Sequence, residues 1–555
     1  MKFSILILLL FSFVSHAQVQ WARQSLHTGA GNVEGYVVAN DTHGNVCVAG
    51  GYIGVSPIFG TDTLAYRNIS NGSAFLVKYD SVGNLLWARN SIDTGAIITS
   101  IVTDNSDNIY IAGYFGLFLV FGTDTLLTSP SSFGSLFLVK YDSSGNVLWA
   151  RDAVDADSSY MFEIAANSMT TDNAGNIYIA GVFNGAAIIF GHDTLSDTPN
   201  NSDVFLAKYD ASGNALWATQ STNGDQGFYP TRSSGIAIIN SSVYMLGQVF
   251  GFPLVFNGDT INTYVYFVKY DLSGNLLAAK GIGANTFWVS SLASDPTGHL
   301  NICGNFDLTA NMGPDTLVDS SLPVSGSPSN NGFIAKLDTG ANFVWARQIG
   351  QISYYNAIAA DGGGNVYVTG YAQQIDYAAS LFPGYTVALS GDQDIVFAAY
   401  NSAGTLSYAS VFGGVSNDKG NGVSADAAGN IYVTGSFGDD PMIIGADTLT
   451  TSNGDMFLVK FNSIPQLAIP LLSRPSQALS VYPNPVTNHY VTCNITAAAN
   501  GPVKIQVANM LGQAILTTTL QANTPAELYI DAPPGLYIIT ATAPGYEVNK
   551  KLVVE

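Results

Sequence analysis

LFLVKYDSSGNVLWAR, Leu136 to Arg151, decides the fold, because near-copies return at intervals of roughly sixty to seventy residues, the mark of a repeat architecture. The copies are AFLVKYDSVGNLLWAR from Ala74, VFLAKYDASGNALWAT from Val204, YFVKYDLSGNLLAAK from Tyr266, GFIAKLDTGANFVWAR from Gly332, IVFAAYNSAGTLSYAS from Ile395 and a shortened MFLVKFNS from Met456. Two runs of aromatic and branched residues flank Asp-Ser-Ser-Gly, whose glycine permits the positive φ of a tight hairpin.

Working upstream, each copy is preceded by a second string, as in TDNAGNIYIAGVF (Thr171 to Phe183), with a periodic glycine at Gly50, Gly113, Gly181, Gly247, Gly304, Gly370 and Gly435. Before that comes a short run of small residues, such as SSLASD (Ser290 to Asp295) or NAIAAD (Asn356 to Asp361). The unit therefore holds four strands, a to d, and four-stranded antiparallel units repeated around an axis are β-propeller blades. Small residues in strand a suit the crowded position next to the axis.

The seventh unit lacks a strand d, whereas VQWARQ (Val19 to Gln24) is a strand d without companions. Val19 to Arg23 is expected to pair with Met456 to Phe461, closing seven blades. Burying the Trp there removes about 150–250 Å² from water, worth roughly 4–6 kcal/mol as an upper bound.

Met1 to Ala17, MKFSILILLLFSFVSHA, reads as a secretory signal peptide, and later stretches are too short in apolar residues for a membrane helix. With 40 acidic against 19 basic residues the chain suits neither nucleic acid nor an anionic membrane surface. Cys47 and Cys303 fall in blades that do not touch, so a disulfide between them is not expected, and Cys47, Cys303 and Cys493 read as small buried side chains.

Strand alternation puts the tight a–b and c–d turns on one face and the long b–c and d–a connections on the other. The b–c segments carry FGTDTL and variants (Phe59 to Leu64, Phe121 to Leu126), read as a small extra hairpin. The d–a loops are the least repetitive and offer Tyr160, Phe162, Phe228, Tyr229, Trp288, Tyr354 and Tyr355, with Asp155, Asp157 and Asp225 between them. Variable loops on a rigid scaffold commonly carry binding. Aromatic plates beside carboxylates suit sugar rings, so a glycan or a protein is the expected ligand; the plainer reading is that these rings pack the loops.

The Asp-x-x-Gly-Asn turns lack the acidic positions of a calcium loop, and the strand-c lysines recur with the period and belong to the scaffold. The six His are scattered, and no Gly-x-Ser-x-Gly, phosphate loop or His-Glu-x-x-His occurs. No catalytic residue, metal site or cofactor is therefore assigned. A lyase or glycosidase using loop carboxylates is the alternative, and a purely structural scaffold a third.

The D-x-x-G-N-x-Y-V-x-G and F-L-V-K-Y-D-x-x-G-N-x-x-W-A-R strings resemble the bacterial SBBP-type β-propeller repeat, which implies a fold and no activity. IPQLAIPLLSRPSQA, Ile464 to Ala478, is a proline-punctuated linker, and short alternating strands follow it. That tail resembles the type A C-terminal sorting domain of the type IX secretion system of Bacteroidota, through Tyr482, Pro483, Asn484 and Pro485, the Asn509 to Gln513 turn with Gly512, then Gly535 and Tyr537, and the closing Lys550 and Lys551. The resemblance implies passage through the periplasm and delivery to the cell surface or outside by that machinery. The expected organisation is a signal peptide (1–17), an all-β seven-bladed β-propeller closed by the N-terminal strand (18–463), a linker (464–478) and a small Ig-like β-sandwich (479–555).

Overall fold

The computed structural model describes residues 19–66, 72–93, 95–127, 135–155, 164–183, 187–196, 202–222, 232–249, 253–283, 287–318, 331–350, 353–373, 392–438, 441–445, 447–451, 454–462, 479–482, 484–486, 488–495, 502–509, 513–521, 524–543 and 546–554. The expected signal peptide, 1–17, and the expected linker, 464–478, lie outside them. The chain divides near residue 470 into two compact units.

The larger unit is all-β, with propeller-like, blade-shaped antiparallel sheets. Among the described residues it holds seven four-stranded sheets, I to VII in chain order, each running a-b-c-d. Their first strands are Asn32–Asn40, Ile97–Thr103, Ile164–Thr171, Arg232–Ile239, Phe287–Ser294, Ser353–Ala360 and Lys419–Ala425. Each touches the first strand of the next sheet, and the seventh touches the first. In sheet VII the fourth strand is Val19–Gln24, antiparallel to Asp455–Phe461, with Trp21 opposite Lys460 and Gln24 opposite Phe457. The open third-strand edge is thus covered by the start of the chain, as its sequence predicts.

The repeated Trp-Ala-Arg is explained by contacts between sheets. Trp87 Nε1 donates to Ser143 O at 3.1 Å and Arg89 Nε to Gly145 O at 2.9 Å, so strand d grips the c–d turn of the following sheet. Trp149 and Arg151 do the same to Ala211 and Gly213, and Trp21 and Arg23 to Ser81 and Gly83. Gly145 is constrained twice, by a φ of 79° and by the Trp87 ring, which a Cβ would meet at 2.8 Å. Gly145→Ala is expected to lower stability by about 1–3 kcal/mol, read as a lower urea midpoint, because αL strain and the ring contact add.

The Asp-Thr-Leu elements also acquire a role. They form six small hairpins among the described residues. In five of them the Asp accepts the outward N–H of a fourth-strand Ala: Asp62 from Ala88 (3.1 Å), Asp124 from Ala150 (3.1 Å), Asp193 from Ala218 (2.8 Å), Asp315 from Ala346 (2.9 Å) and Asp447 from Ala22 (2.8 Å). A strand at a sheet edge presents unpaired N–H groups that invite pairing with another chain, and a carboxylate on one of them blunts the edge. The segment LFPGYTVAL of sheet VI, which replaces this hairpin, lies outside the described residues.

The Asp-x-x-Gly-Asn turns are self-contained. Asp172 Oδ1 accepts the N–H of Ala174 and Asn176 at 3.0 and 2.9 Å, and its Oδ2 accepts Asn176 Nδ2 at 2.8 Å. Cys47, Cys303 and Cys493 are buried free thiols, and burial pushes the Cys47 thiol up to about 12.

The smaller unit has a three-stranded sheet, ordered Leu479–Tyr482, Tyr490–Ile495, Ala526–Tyr529, and a four-stranded one, ordered Ala514–Gln521, Pro502–Asn509, Gly535–Ala543, Tyr546–Val554. Val491, Cys493, Ile505, Val507, Ile539 and Leu552 share its core.

Candidate functional site

Strand a extends further upstream than the small-residue runs suggest. In each of the seven sheets its register against strand b slips once, leaving one unpaired residue: Tyr36, Thr99, Asn167, Ser234, Ser290, Asn356 or Asn421. A bulge of this kind bends the strand and re-aims a side chain. Beyond it pairing resumes, so Trp288, Tyr354 and Tyr355 stand in strands, a correction to their placement in d–a loops. The periodic glycines make this possible. A Cβ at Gly370 would fall on Tyr354 O, and one at Gly304 on Trp288 O.

The bulged residues bind the sheets in series. Ser234 Oγ donates to Val289 O at 2.6 Å, Asn356 Nδ2 to Gly420 O and Asn421 Nδ2 to Gly35 O, both at 2.9 Å, and Thr99 Oγ1 to Ala166 O. Two residues before each bulge the repeat ceases to repeat. The equivalent positions hold Glu34, Ile97, Ala165, Arg232, Trp288, Tyr354 and Lys419. Opposite them on strand b, after the periodic glycines, stand Gly51, Tyr114, Val182, Gln248, Asn305, Tyr371 and Ser436.

Here Tyr354 and Tyr371 stack with centroids 5.0 Å apart at 20°, and Lys419 Nζ lies 5.4 Å from the Tyr371 centroid. Burial, then the neighbouring Tyr354, raises the Tyr371 hydroxyl pKa above its ordinary value. Trp288 is half-buried in the adjacent sheet, opposite Asn305. A hollow of about 340 Å³ is lined by Asn32, Glu34, Ser416, Asn417 and Ser436, the last being the register partner of Lys419. A second, of about 180 Å³, has Glu34, Tyr36 and Ile97 in its wall. Asn32 Nδ2 donates to Glu34 Oε1 at 2.8 Å. Burial, Glu34 and Tyr114, in that order, push Tyr36 up to about 12. An aromatic pair and a cation are thus linked to a polar hollow through the Lys419–Ser436 register pair.

Tyr355 does not belong to this surface: it is fully buried, its hydroxyl donates to Ile349 O at 2.7 Å and its ring lies against Gly332. Asp155 stands in the two-residue strand Val154–Asp155 beside Ile188. Tyr160, Asp157, Asp225, Phe228 and Tyr229 lie outside the described residues. Tyr371, Lys419, Glu34 and Tyr36 were missed by reading loops. The signal for them was the loss of periodicity at one strand-a and one strand-b position, and a Tyr at a bulge position that elsewhere holds Ser, Thr or Asn.

At the opposite ends of the strands, one ligand atom each from Asp41, His43 and Asp107 comes within 4.8 Å of the others. Asp41 Oδ2 holds Lys78 Nζ at 2.8 Å, and Asp107 accepts Thr42 N and Oγ1 and pairs with His43 at 2.7 Å. Asp107, with φ 59° where the neighbouring turns have Gly, serves as a staple between sheets I and II.

In the smaller unit Asn484 ties the two ends of the tail together. Its Nδ2 donates to Lys551 O at 2.8 Å, and its Oδ1 accepts Val553 N at 2.9 Å. Tyr537 is buried, its hydroxyl donating to Pro533 O at 2.7 Å, while Tyr482, Pro485, Gly535, Lys550 and Lys551 are exposed. Pro483 and Gly512 lie outside the described residues.

Comparison with known proteins adds the following. Residues 480–555 match the family described as "Secretion system C-terminal sorting domain", and residues 344–374 the family described as "Beta-propeller repeat". The chain is 26% identical over 432 residues, 61% of its length, to an uncharacterized WD repeat-containing protein, L264, of Acanthamoeba polyphaga mimivirus, and spans 30% of that protein. Solved structures similar to it include a protein of unknown function from Dyadobacter fermentans (9% identity, TM-score 0.38, 80% of this chain and 99% of that one). The Neurospora crassa Pan2 WD40 domain gives 8%, 0.32, 67% and 90%. A Synechocystis apocarotenoid oxygenase gives 10%, 0.36, 92% and 96%. A tail of this sorting family implies handling by the type IX secretion machinery and delivery to the cell surface or outside. The chain carries the beta-propeller repeat and ends in a secretion system C-terminal sorting domain.

Proposed function

We propose that this is an exported, surface-associated recognition protein: a closed seven-bladed β-propeller (18–463) that binds a glycan without catalysis, followed by a linker (464–478) and an Ig-like sandwich (479–555) that serves its export. The signal peptide 1–17 starts that route. The ring reading is supported by the cyclic order of first-strand contacts and by the borrowed strand Val19–Gln24.

The ligand reading rests on one observation, the Tyr354–Tyr371–Lys419 ladder beside a hollow walled by Asn32, Asn417 and Ser436. Flat rings stack on the apolar face of a sugar, while amide and hydroxyl groups meet its hydroxyls; such a mix of ring surface and few fixed polar groups is what small-ligand sites require. Trp288 extends the aromatic surface into the next sheet. Asp155, Asp157, Asp225, Tyr160, Phe228 and Tyr229, which the sequence puts in d–a connections, are proposed to frame it. Tyr482, Pro483, Asn484, Pro485, Gly512, Gly535, Tyr537, Lys550 and Lys551 are proposed as the sorting determinants, with Asn484 and Tyr537 acting by holding the tail's shape.

Glycan-array screening of the full chain, followed by titration calorimetry on a hit, tests the reading. Tyr354→Ala is expected to weaken binding about tenfold or more, about 1.4 kcal/mol, with an unchanged melting temperature. Undiminished binding would retire the site.

A further inference from the structure

We infer that the ligand of this site is an acidic saccharide whose carboxylate is taken by Lys419, an inference that rests on the glycan reading above. The argument begins with where this acidic chain, of net charge −21, places its cations. Among the described side chains of the larger unit, all other lysines and arginines stand at the two periodic positions, the third-strand Lys and the fourth-strand Arg or Lys. The periodic cations serve the scaffold: Lys336 pairs with Asp295 at 2.7 Å, Lys460 donates to Ser81 O at 2.7 Å, and Arg89 grips Gly145 O.

Lys419 stands outside both periodic positions. It lies in a first strand, at a position held elsewhere by Ile97, Arg232, Trp288 or Tyr354, and makes no ion pair within the described residues. Its ammonium lies 5.4 Å from the centroid of the Tyr371 ring, which orients it without neutralising its charge. A half-buried cation that no carboxylate among the described residues satisfies costs solvation, and a carboxylate arriving with a ligand restores that loss.

The hollow lined by its register partner Ser436 is polarised to match. Glu34, held by Asn32, stands in its wall and repels an anion while accepting hydroxyls. Ser436, the register partner of Lys419, is in the same wall. A molecule with a carboxylate at one end and hydroxyls at the other, with a flat apolar face for the Tyr354 and Tyr371 rings, fits this order; uronate sugars have that form. The volume, about 340 Å³, falls within the range of about 300–1,000 Å³ usual for small-ligand sites.

The test uses the full-length chain, a panel of uronate-bearing oligosaccharides, and the same oligosaccharides after reduction of their carboxyl groups. The acidic members are expected to bind about tenfold or more tightly than their reduced counterparts, with the advantage shrinking in high salt. Lys419→Gln should bring the acidic and the reduced probes to equal affinity, Lys419→Arg should keep most of the advantage, and Tyr354→Ala should weaken both probe sets. Equal affinity for the two sets, or an unaltered advantage in Lys419→Gln, overturns the acidic assignment while leaving the glycan site standing. Failure of every probe in both sets overturns both, and capture of an acidic peptide in their place does the same. Melting of each variant at the wild-type temperature excludes misfolding as the cause of lost binding.

Discussion

A chain that lacks Val19–Gln24 is expected to lose its cooperative melting transition and to run as soluble aggregate on gel filtration. Without this strand, the fully buried strand Asp455–Phe461 becomes an edge. A long apolar edge is a template for pairing with other chains, so the loss is structural as well as energetic. Trp21 is 7% exposed and packs in one cluster with Val48, Tyr432 and Leu458, so Trp21→Ala alone is expected to cost about 3–5 kcal/mol. A peptide VQWARQ supplied in trans is expected to restore part of the monomer peak. A deletion variant that melts as the intact chain does would show that the seventh sheet holds without its borrowed strand.

The second large effect is expected at Asp295. Its carboxylate, buried in the a–b turn of sheet V, accepts Lys336 Nζ at 2.7 Å, and Lys336 is itself buried. Burial by itself raises such a carboxyl, but hydrogen bonds from Lys336, Thr297 and Asn301, with the charge of Lys336, outweigh it and pull the group down to about 2 from an ordinary 3.8. Because the folded value lies below the unfolded one, the stabilisation is fully present above about pH 4 and fades as pH falls from there through about 2. Asp295→Ala leaves the ammonium buried without its partner, at a cost of about 3–5 kcal/mol, and flattens this part of the acid limb. Adding Lys336→Met should recover much of the loss, since a buried ion pair is replaceable by apolar groups when both members go. An Asp295→Ala variant with the wild-type urea midpoint and acid limb would refute the assignment.

The blades were legible because each piece of their chemistry is local and repeated. Asp, Gly and Asn at fixed offsets make the turns, and alternation in FLVKYD and NVLWAR makes the strands, so the copies reinforce one reading. The borrowed strand was legible for the same reason, as a motif missing at one end of the period and surplus at the other. The meaning of Trp-Ala-Arg and of Asp-Thr-Leu was hidden, since Trp87 acts on the turn of the next sheet and Asp124 on an edge 26 residues away. The placement of Tyr355 was also hidden: its stretch reads as a d–a connection just before strand a, and only the bulge opposite Gly370 turns its ring into the interior.

The chain order of residues thus determined the four-stranded unit, the number of its copies, the strand that completes the last of them and the sorting tail, because hydrophobic period, turn chemistry and motif spacing act within tens of residues. Only the tertiary structure decided which residues meet where the first strands converge. Tyr354, Tyr371, Lys419 and Glu34 come from three sheets and lie up to 385 positions apart in the chain. Their proximity follows from bulges that re-aim side chains and from cyclic packing that brings the last sheet against the first, and neither is written in any single stretch of sequence.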